Sequence, residues 1–133
     1  MEPISVLVVD DHALTREAIL SLIGGQKDFR VVGEAASGQE AVRQAAIHRP
    51  RVIVMDILMP GMNGIEAART IHTTDPTVRI LVLSNHTGKK LLEAVLEAGA
   101  VGYVRKDRAY EEIIPAIRAA AGGRRYIGYG VDN

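Results

Sequence analysis

Four short apolar runs along the chain each end in a polar residue able to do chemistry. Ile4 to Val9 runs into Asp10-Asp11, Val52 to Met55 into Asp56, and Ile80 to Leu83 into Ser84, while Val101 to Val104 is followed one residue on by Lys106. Runs of four to six residues without polar alternation predict strands buried on both faces. Phe29 to Ala35 predicts a further strand. Between the strands the apolar spacing turns helical. Leu14, Ala18, Ile19, Leu22 and Ile23 share one predicted helix face, closed by Gly24-Gly25. Ser37 and Glu40, and again Asn63 and Glu66, have the spacing of a capping box ahead of apolar helical positions. Asp75-Pro76 ends the third helix and Gly99 the fourth, which carries Leu91, Leu92, Val95 and Leu96. A fifth helix carries Ile113, Ile114, Ile117 and Ala120 and stops at Gly122-Gly123, with Pro115 expected to bend it.

Five strands alternating with five helices predict an α/β fold with a doubly wound parallel sheet, because each crossover is right-handed and covers one face. The expected strand order is 2-1-3-4-5, with its switch point between strands one and three. Ligands of such sheets bind outside the carboxyl ends of the strands, so Asp10, Asp11 and Asp56 should converge there, with Ser84 and Lys106 beside them. Gly122 to Asn133 has no period and reads as a tail or the start of a linker, placing the domain at 1–123 and the tail at 124–133.

Three carboxylates held close need a counter-charge. Oxygen donors without cysteine or clustered histidine favour a hard cation, and Mg²⁺ fits best because it keeps waters that a phosphate can displace. Beside it Asp56 can act as a carboxylate nucleophile toward phosphorus. Lys106 can neutralise phosphoryl oxygens as a point charge, and Ser84 can donate to one. Each residue also has an ordinary reading. Asp10 and Asp11 could cap helix one, Ser84 could cap helix four, Lys106 could be a solvated lysine and Tyr103 half-buried packing. Asp10, Asp11 and Asp56 taken together argue against capping. His12, His48, His72 and His86 lack metal-ligand spacing and read as surface or loop residues. Met55, Met59 and Met62 read as core and loop filler.

Composition narrows the partners. Sixteen basic and sixteen acidic residues give a net charge of +0, so no basic field draws this chain to nucleic acid or an anionic membrane. The absence of cysteine excludes disulfides and thiolate chemistry. No apolar stretch approaches the ~20 residues of a membrane span, and a strand-like run begins within three residues of Met1, leaving no room for a signal peptide. A cytoplasmic protein is expected.

With Asp10-Asp11, Asp56-Ile57-Leu58-Met59-Pro60-Gly61-Met62-Asn63-Gly64, Ser84 and Gly102-Tyr103-Val104-Arg105-Lys106 each at a strand end, the chain resembles the response-regulator receiver domains of two-component signalling from Ile4 to about Gly123. The resemblance implies the flavodoxin-like receiver fold and a phosphorylation-dependent regulator rather than an enzyme. It implies that Asp56 accepts a phosphoryl group from a sensor histidine kinase. It implies Mg²⁺ held by Asp11, Asp56 and the Leu58 backbone carbonyl, with Asp10 acting largely through water. Ser84 and Tyr103 become a switch pair in which Ser84 moves toward the phosphoryl group and Tyr103 turns inward. Asp10-Asp11-His12, Lys106-Asp107 and the Ala-Gly-Gly-Arg-Arg-Tyr ending look most like the subfamily with a C-terminal LuxR/FixJ-type helix-turn-helix domain. That subfamily implies transcription control, contact with DNA only through an output domain outside this chain, and a homodimer on phosphorylation. The small residues Ala116, Ala119, Ala120 and Ala121 are candidates for the contact face, or simply pack on the sheet. Lys106-Asp107 departs from the Lys-Pro of many receivers. Leu58 and His86 occupy the two variable positions that border the path of a hydrolytic water.

Three alternatives compete. A haloacid-dehalogenase-type enzyme would want Asp-x-Asp after strand one and a cap domain. A flavin carrier would need a Ser/Thr/Gly-rich phosphate loop, where Asp10-Asp11-His12 would repel the phosphate. A stand-alone receiver would act by docking to another protein.

Overall fold

The computed structural model describes residues 2–132. The five expected strands form: β1 (Ile4–Val9), β2 (Phe29–Ala35), β3 (Val52–Asp56), β4 (Arg79–Ser84) and β5 (Gly102–Arg105). They alternate with α1 (Ala13–Gly24), α2 (Gly38–His48), α3 (Gly64–Thr74), α4 (Lys89–Glu97) and α5 (Ala109–Ala121). The order is the expected one, extended by a sixth strand, β6 (Tyr126–Ile127), giving β2-β1-β3-β4-β5-β6 with all pairs parallel.

The continuous apolar runs have a direct cause. Val6, Val8, Val52, Val54, Leu81, Leu83 and Val104 face the cluster that includes Ile19 and Ile23 of α1 and Ile113 and Ile117 of α5. Their neighbours Leu7, Val9, Ile53, Met55, Ile80, Val82 and Tyr103 face the cluster built with α2, α3 and α4. Successive strand residues point to opposite faces, and both faces are covered.

Both capping sequences act as helix starts. Ser37 Oγ accepts the Glu40 amide at 3.1 Å, and Asn63 Oδ1 accepts the Glu66 amide at 2.9 Å. Glu66 completes its cap through the Asn63 side-chain amide, 3.1 Å from its Oε1.

Three expectations change. Leu14 is 82% exposed. Ile19 and Ile23 are buried under the sheet and Leu22 packs partly against the same cluster, while Leu14 and Ala18, a turn earlier, stand exposed. Ala116 and Ala120 are buried in the cluster under the sheet, Ala119 is buried too, and Ala121 is partly buried against that cluster, so the four alanines pack on the protein itself, while α5 continues through the exposed Pro115. The segment after Gly123, expected to hang free, packs back as β6, and Val131 is fully buried. Its pairing with β5 rests on contacts distant in sequence that a two-residue strand does not advertise.

Candidate functional site

The carboxyl ends of β1 and β3 lie side by side, with Val9 opposite Met55, so Asp10-Asp11 and Asp56 leave the sheet together. Asp10 and Asp56 are buried and Asp11 is partly exposed. Lys106, just past β5, reaches back across the sheet end. Its Nζ lies 3.0 Å from Asp10 Oδ2 and 3.1 Å from Asp56 Oδ2. The other Asp56 oxygen accepts the Leu58 amide at 3.2 Å. Both oxygens of the candidate nucleophile are therefore engaged at rest.

The capping readings of Asp10 and Ser84 fail on geometry. Asp10 Oδ1 accepts the His12 amide at 2.9 Å, closing a local turn, and α1 has no side-chain cap. Ser84 is fully buried and its Oγ accepts the His86 amide at 3.0 Å, five residues before α4 begins. Tyr103 is already turned inward and fully buried, with its hydroxyl donating to the His86 carbonyl, so the inward rotation expected of it has already occurred here. All described peptide bonds are trans, and Lys106–Arg108 form a single 3₁₀ turn where many receivers carry Lys-Pro.

The electrostatics follow from one ammonium shared by two carboxylates. Burial raises the Asp56 pKa, and the Leu58 amide and half a share of Lys106 do not offset it. Burial also works against the Lys106 charge, but the close contact with Asp10 and the charges of Asp56 and Asp10 outweigh it and raise the Lys106 pKa. The Tyr103 phenol is raised by burial, against the Ser84 hydrogen bond.

A cation fits the remaining space. Ligand atoms of Asp10, Asp11, His12 and Asp56 all lie within 4.8 Å of one another. Asp11 Oδ1 is buried with no hydrogen bond. Asp10 Oδ2 is buried beside Lys106 Nζ, an ion pair at 3.0 Å, and has lone-pair capacity left for a metal. Hard oxygen donors of this kind suit Mg²⁺. Two neighbours escaped the sequence reading. His12 stands with its Nδ1 3.2 Å from Asp11 Oδ1, beside the acids and not away from them. Arg16, one turn into α1, donates to the Asp10 carbonyl at 2.7 Å and pairs with Glu34 at 2.8 Å, tying the acidic loop to β2. Only its position four residues after His12, on the helix that the acidic loop enters, hinted at this.

Gly64 sets the depth of the site from below. A Cβ there would lie 2.4 Å from the Asp56 carbonyl oxygen and 2.4 Å from Ile57 Cα, so α3 can approach the loop after β3 only with glycine. Leu58, on that loop, is 51% exposed at the mouth of the site, and His86 is exposed as well.

Comparisons with known proteins identify the family. A family model described as "Response regulator receiver domain" matches residues 6–118. The response regulator UvrY of Escherichia coli (strain K12) is 42% identical over 124 residues, covering 93% of this chain and 57% of UvrY. The chain thus spans little more than half the length of that relative. A LuxR-family two-component response regulator from Aurantimonas sp. SI85-9A1 superposes with a TM-score of 0.93 at 38% identity, covering 98% of this chain and 93% of that one. The signal receiver domain of the putative response regulator NarL from Mycobacterium tuberculosis superposes with a TM-score of 0.89 at 34% identity, covering 93% and 100%. Fold, site and similarity all point the same way, and the chain belongs to the family of response regulator receiver domains.

Proposed function

We propose that Asp56 is the phosphoacceptor of a two-component pathway and that its phosphorylation controls a DNA-binding output domain lying outside this chain. The observation that carries the reading is Asp56 itself: buried at the end of β3, held by Lys106 and the Leu58 amide, beside two further carboxylates. In the transfer, an Asp56 oxygen attacks the phosphorus of a phosphohistidine on the sensor kinase. The new P–O bond forms as the P–N bond breaks, and the departing imidazole takes a proton from solvent. Mg²⁺ bound by Asp11, Asp56 and the Leu58 carbonyl, with Asp10 acting largely through water, would offset the negative charge gathered there. Lys106 exchanges its share of Asp56 for the phosphoryl oxygens. Ser84 rotates its hydroxyl toward them and gives up the His86 amide. The loop after β4 follows, and Tyr103, already inward, moves with its His86 partner.

Residues 1–123 carry the receiver's site and its five helices, and 124–133 lead from it toward the output domain, pairing with β5 as β6 on the way. The protein works in the cytoplasm, with a homodimer forming on phosphorylation and genes regulated through the output domain. The subfamily of the relatives supports this reading, and among the described residues no helix is long and apolar enough to cross a membrane.

Radiolabelled acetyl phosphate tests the assignment. Label should appear only with a divalent cation, be stable in acid and labile in base, and be absent from Asp56→Asn. Equal labelling of that variant overturns the proposal. Asp11→Ala should weaken Mg²⁺ binding more than Asp10→Ala does.

A further inference from the structure

Away from the acidic site, the most heavily anchored residues without a role lie between Tyr126 and Val131. Tyr126 and Ile127 extend the sheet beside Gly102 and Tyr103, and the Gly128 amide donates to the Tyr103 carbonyl at 2.8 Å. Glu112 of α5, a buried carboxylate, fastens the same segment. It accepts from the Tyr126 hydroxyl at 2.9 Å, the Tyr129 amide at 3.2 Å and Arg108 Nε at 3.2 Å, and the Arg108 guanidinium covers the Tyr129 ring. Gly128 is pressed so closely that a Cβ would meet Glu112 Oε1 at 2.9 Å and the Tyr103 carbonyl oxygen at 3.0 Å.

The far end of the segment meets the loop that follows Ser84. Val131 is fully buried in the cluster that holds Val95 of α4 and Tyr103, and its carbonyl accepts the Gly88 amide at 2.9 Å. Tyr103 binds both sides: its backbone oxygen holds Gly128, and its hydroxyl holds the His86 carbonyl. The segment and the loop 85–88 are thus joined directly and through one tyrosine. A shift of the loop toward Asp56 would have to strain the Gly88–Val131 hydrogen bond, and through Tyr103 the cluster that holds Val131.

We propose that Tyr126–Val131 is a conformational strap, fastened while the loop 85–88 is at rest and released when Asp56 is phosphorylated. This rests on the phosphoacceptor reading of Asp56. The coupling is reciprocal, because an activating ligand that loosens the strap must bind more tightly once the strap is already loose.

Hydrogen–deuterium exchange on the 133-residue chain tests it, with Val131→Ala and Glu112→Gln as variants. Glu112→Gln loosens the other end of the strap and serves if Val131→Ala folds poorly. In the resting protein each variant should speed exchange in 126–132 and also in 85–92, leaving α2 unchanged. Unchanged exchange in 85–92 overturns the strap without reference to phosphorylation. With Mg²⁺ and beryllofluoride, exchange in 126–132 of the unaltered chain should rise, and the variants should bind beryllofluoride about five-fold more tightly. Bound fluoride is followed separately by ¹⁹F NMR. Beryllofluoride bound with exchange in 126–132 unchanged overturns the strap and leaves the phosphoacceptor standing. Beryllofluoride that never binds overturns both.

Discussion

A carboxylate whose pKa burial has raised is a destabilising charge at neutral pH. The sign follows from linkage: the stability tied to Asp56 is complete below its unfolded pKa and is lost as pH rises through the raised folded value. Asp56→Asn should therefore melt a few degrees above the unaltered chain at pH 7 in EDTA. The gap should close as the pH falls to about 4, near the unfolded carboxylate value. A variant that melts lower at pH 7 means that Lys106 stabilises the Asp56 charge more than burial opposes it. Leu58 governs a different quantity. Its apolar side chain stands exposed at the mouth of the site and offers no hydrogen bond to an attacking water. Leu58→Asn should shorten the lifetime of the aspartyl phosphate by about two- to ten-fold, the worth of one oriented hydrogen bond. An unchanged or longer lifetime removes Leu58 from the path of the water. At this scale Asp10, Asp11, Asp56, Ser84 and Lys106 were legible because each stands just past an apolar run, and topology alone brings such ends together. His12 and Arg16 were not, because their place beside the acids depends on how the turn after β1 closes around the Asp10 side chain and carbonyl.

The elements divide by whether their burial is local. β1, β3 and β4 were readable since residues next to one another feed opposite clusters, and that demand writes itself into consecutive apolar positions. β6 is two residues long, and its fastenings come from Glu112, Tyr103 and Gly88, so no period could show it. The alanines of α5 belong to the same lesson: small residues fit equally well against a sheet or a second helix, and only the packing decides. Two substitutions test how firmly elements hold the site. Pro115 sits in the interior of α5 on its exposed side, where it removes the amide that would pair with the Glu111 carbonyl. Pro115→Ala should stabilise the chain by about 2 kcal/mol, the helix gain less the restored freedom of the unfolded state, read as a higher urea midpoint at constant m. A lower midpoint means the ring makes packing contacts worth more than the lost hydrogen bond. Gly64→Ala should act in the opposite direction, costing about 2 kcal/mol as α3 is pushed off the Asp56-Ile57 backbone. It should also slow labelling by acetyl phosphate, because the nucleophile moves with that backbone. Labelling at the ordinary rate in a destabilised variant means that α3 yields and the loop after β3 stays in place.

For the whole molecule, the balanced charge removes long-range attraction to nucleic acid, and on the phosphoacceptor reading the domain's influence passes through contacts that change with the state of Asp56. Ala116, Ala119 and Ala120 of α5 are already buried in the protein's own fold and only Ala121 is partly exposed, so the alanines offer a second copy little surface. The strap offers another route. While it is fastened, β6 pairs with β5 and Val131 fills its seat. Once it leaves, β5 becomes the edge of the sheet, with unpaired backbone groups next to a vacated apolar pocket. An edge of that kind is a template for pairing with another chain. Association should therefore follow strap release and not merely added charge. Sedimentation with Mg²⁺ and beryllofluoride should show a dimer at protein concentrations where the resting chain is a monomer, and Val131→Ala should dimerise at lower protein concentration than the unaltered chain under the same conditions. If the unaltered chain dimerises on activation but Val131→Ala does so no more readily, a surface other than the uncovered β5 edge mediates the contact. If both remain monomeric at high concentration in either state, this domain does not associate by itself.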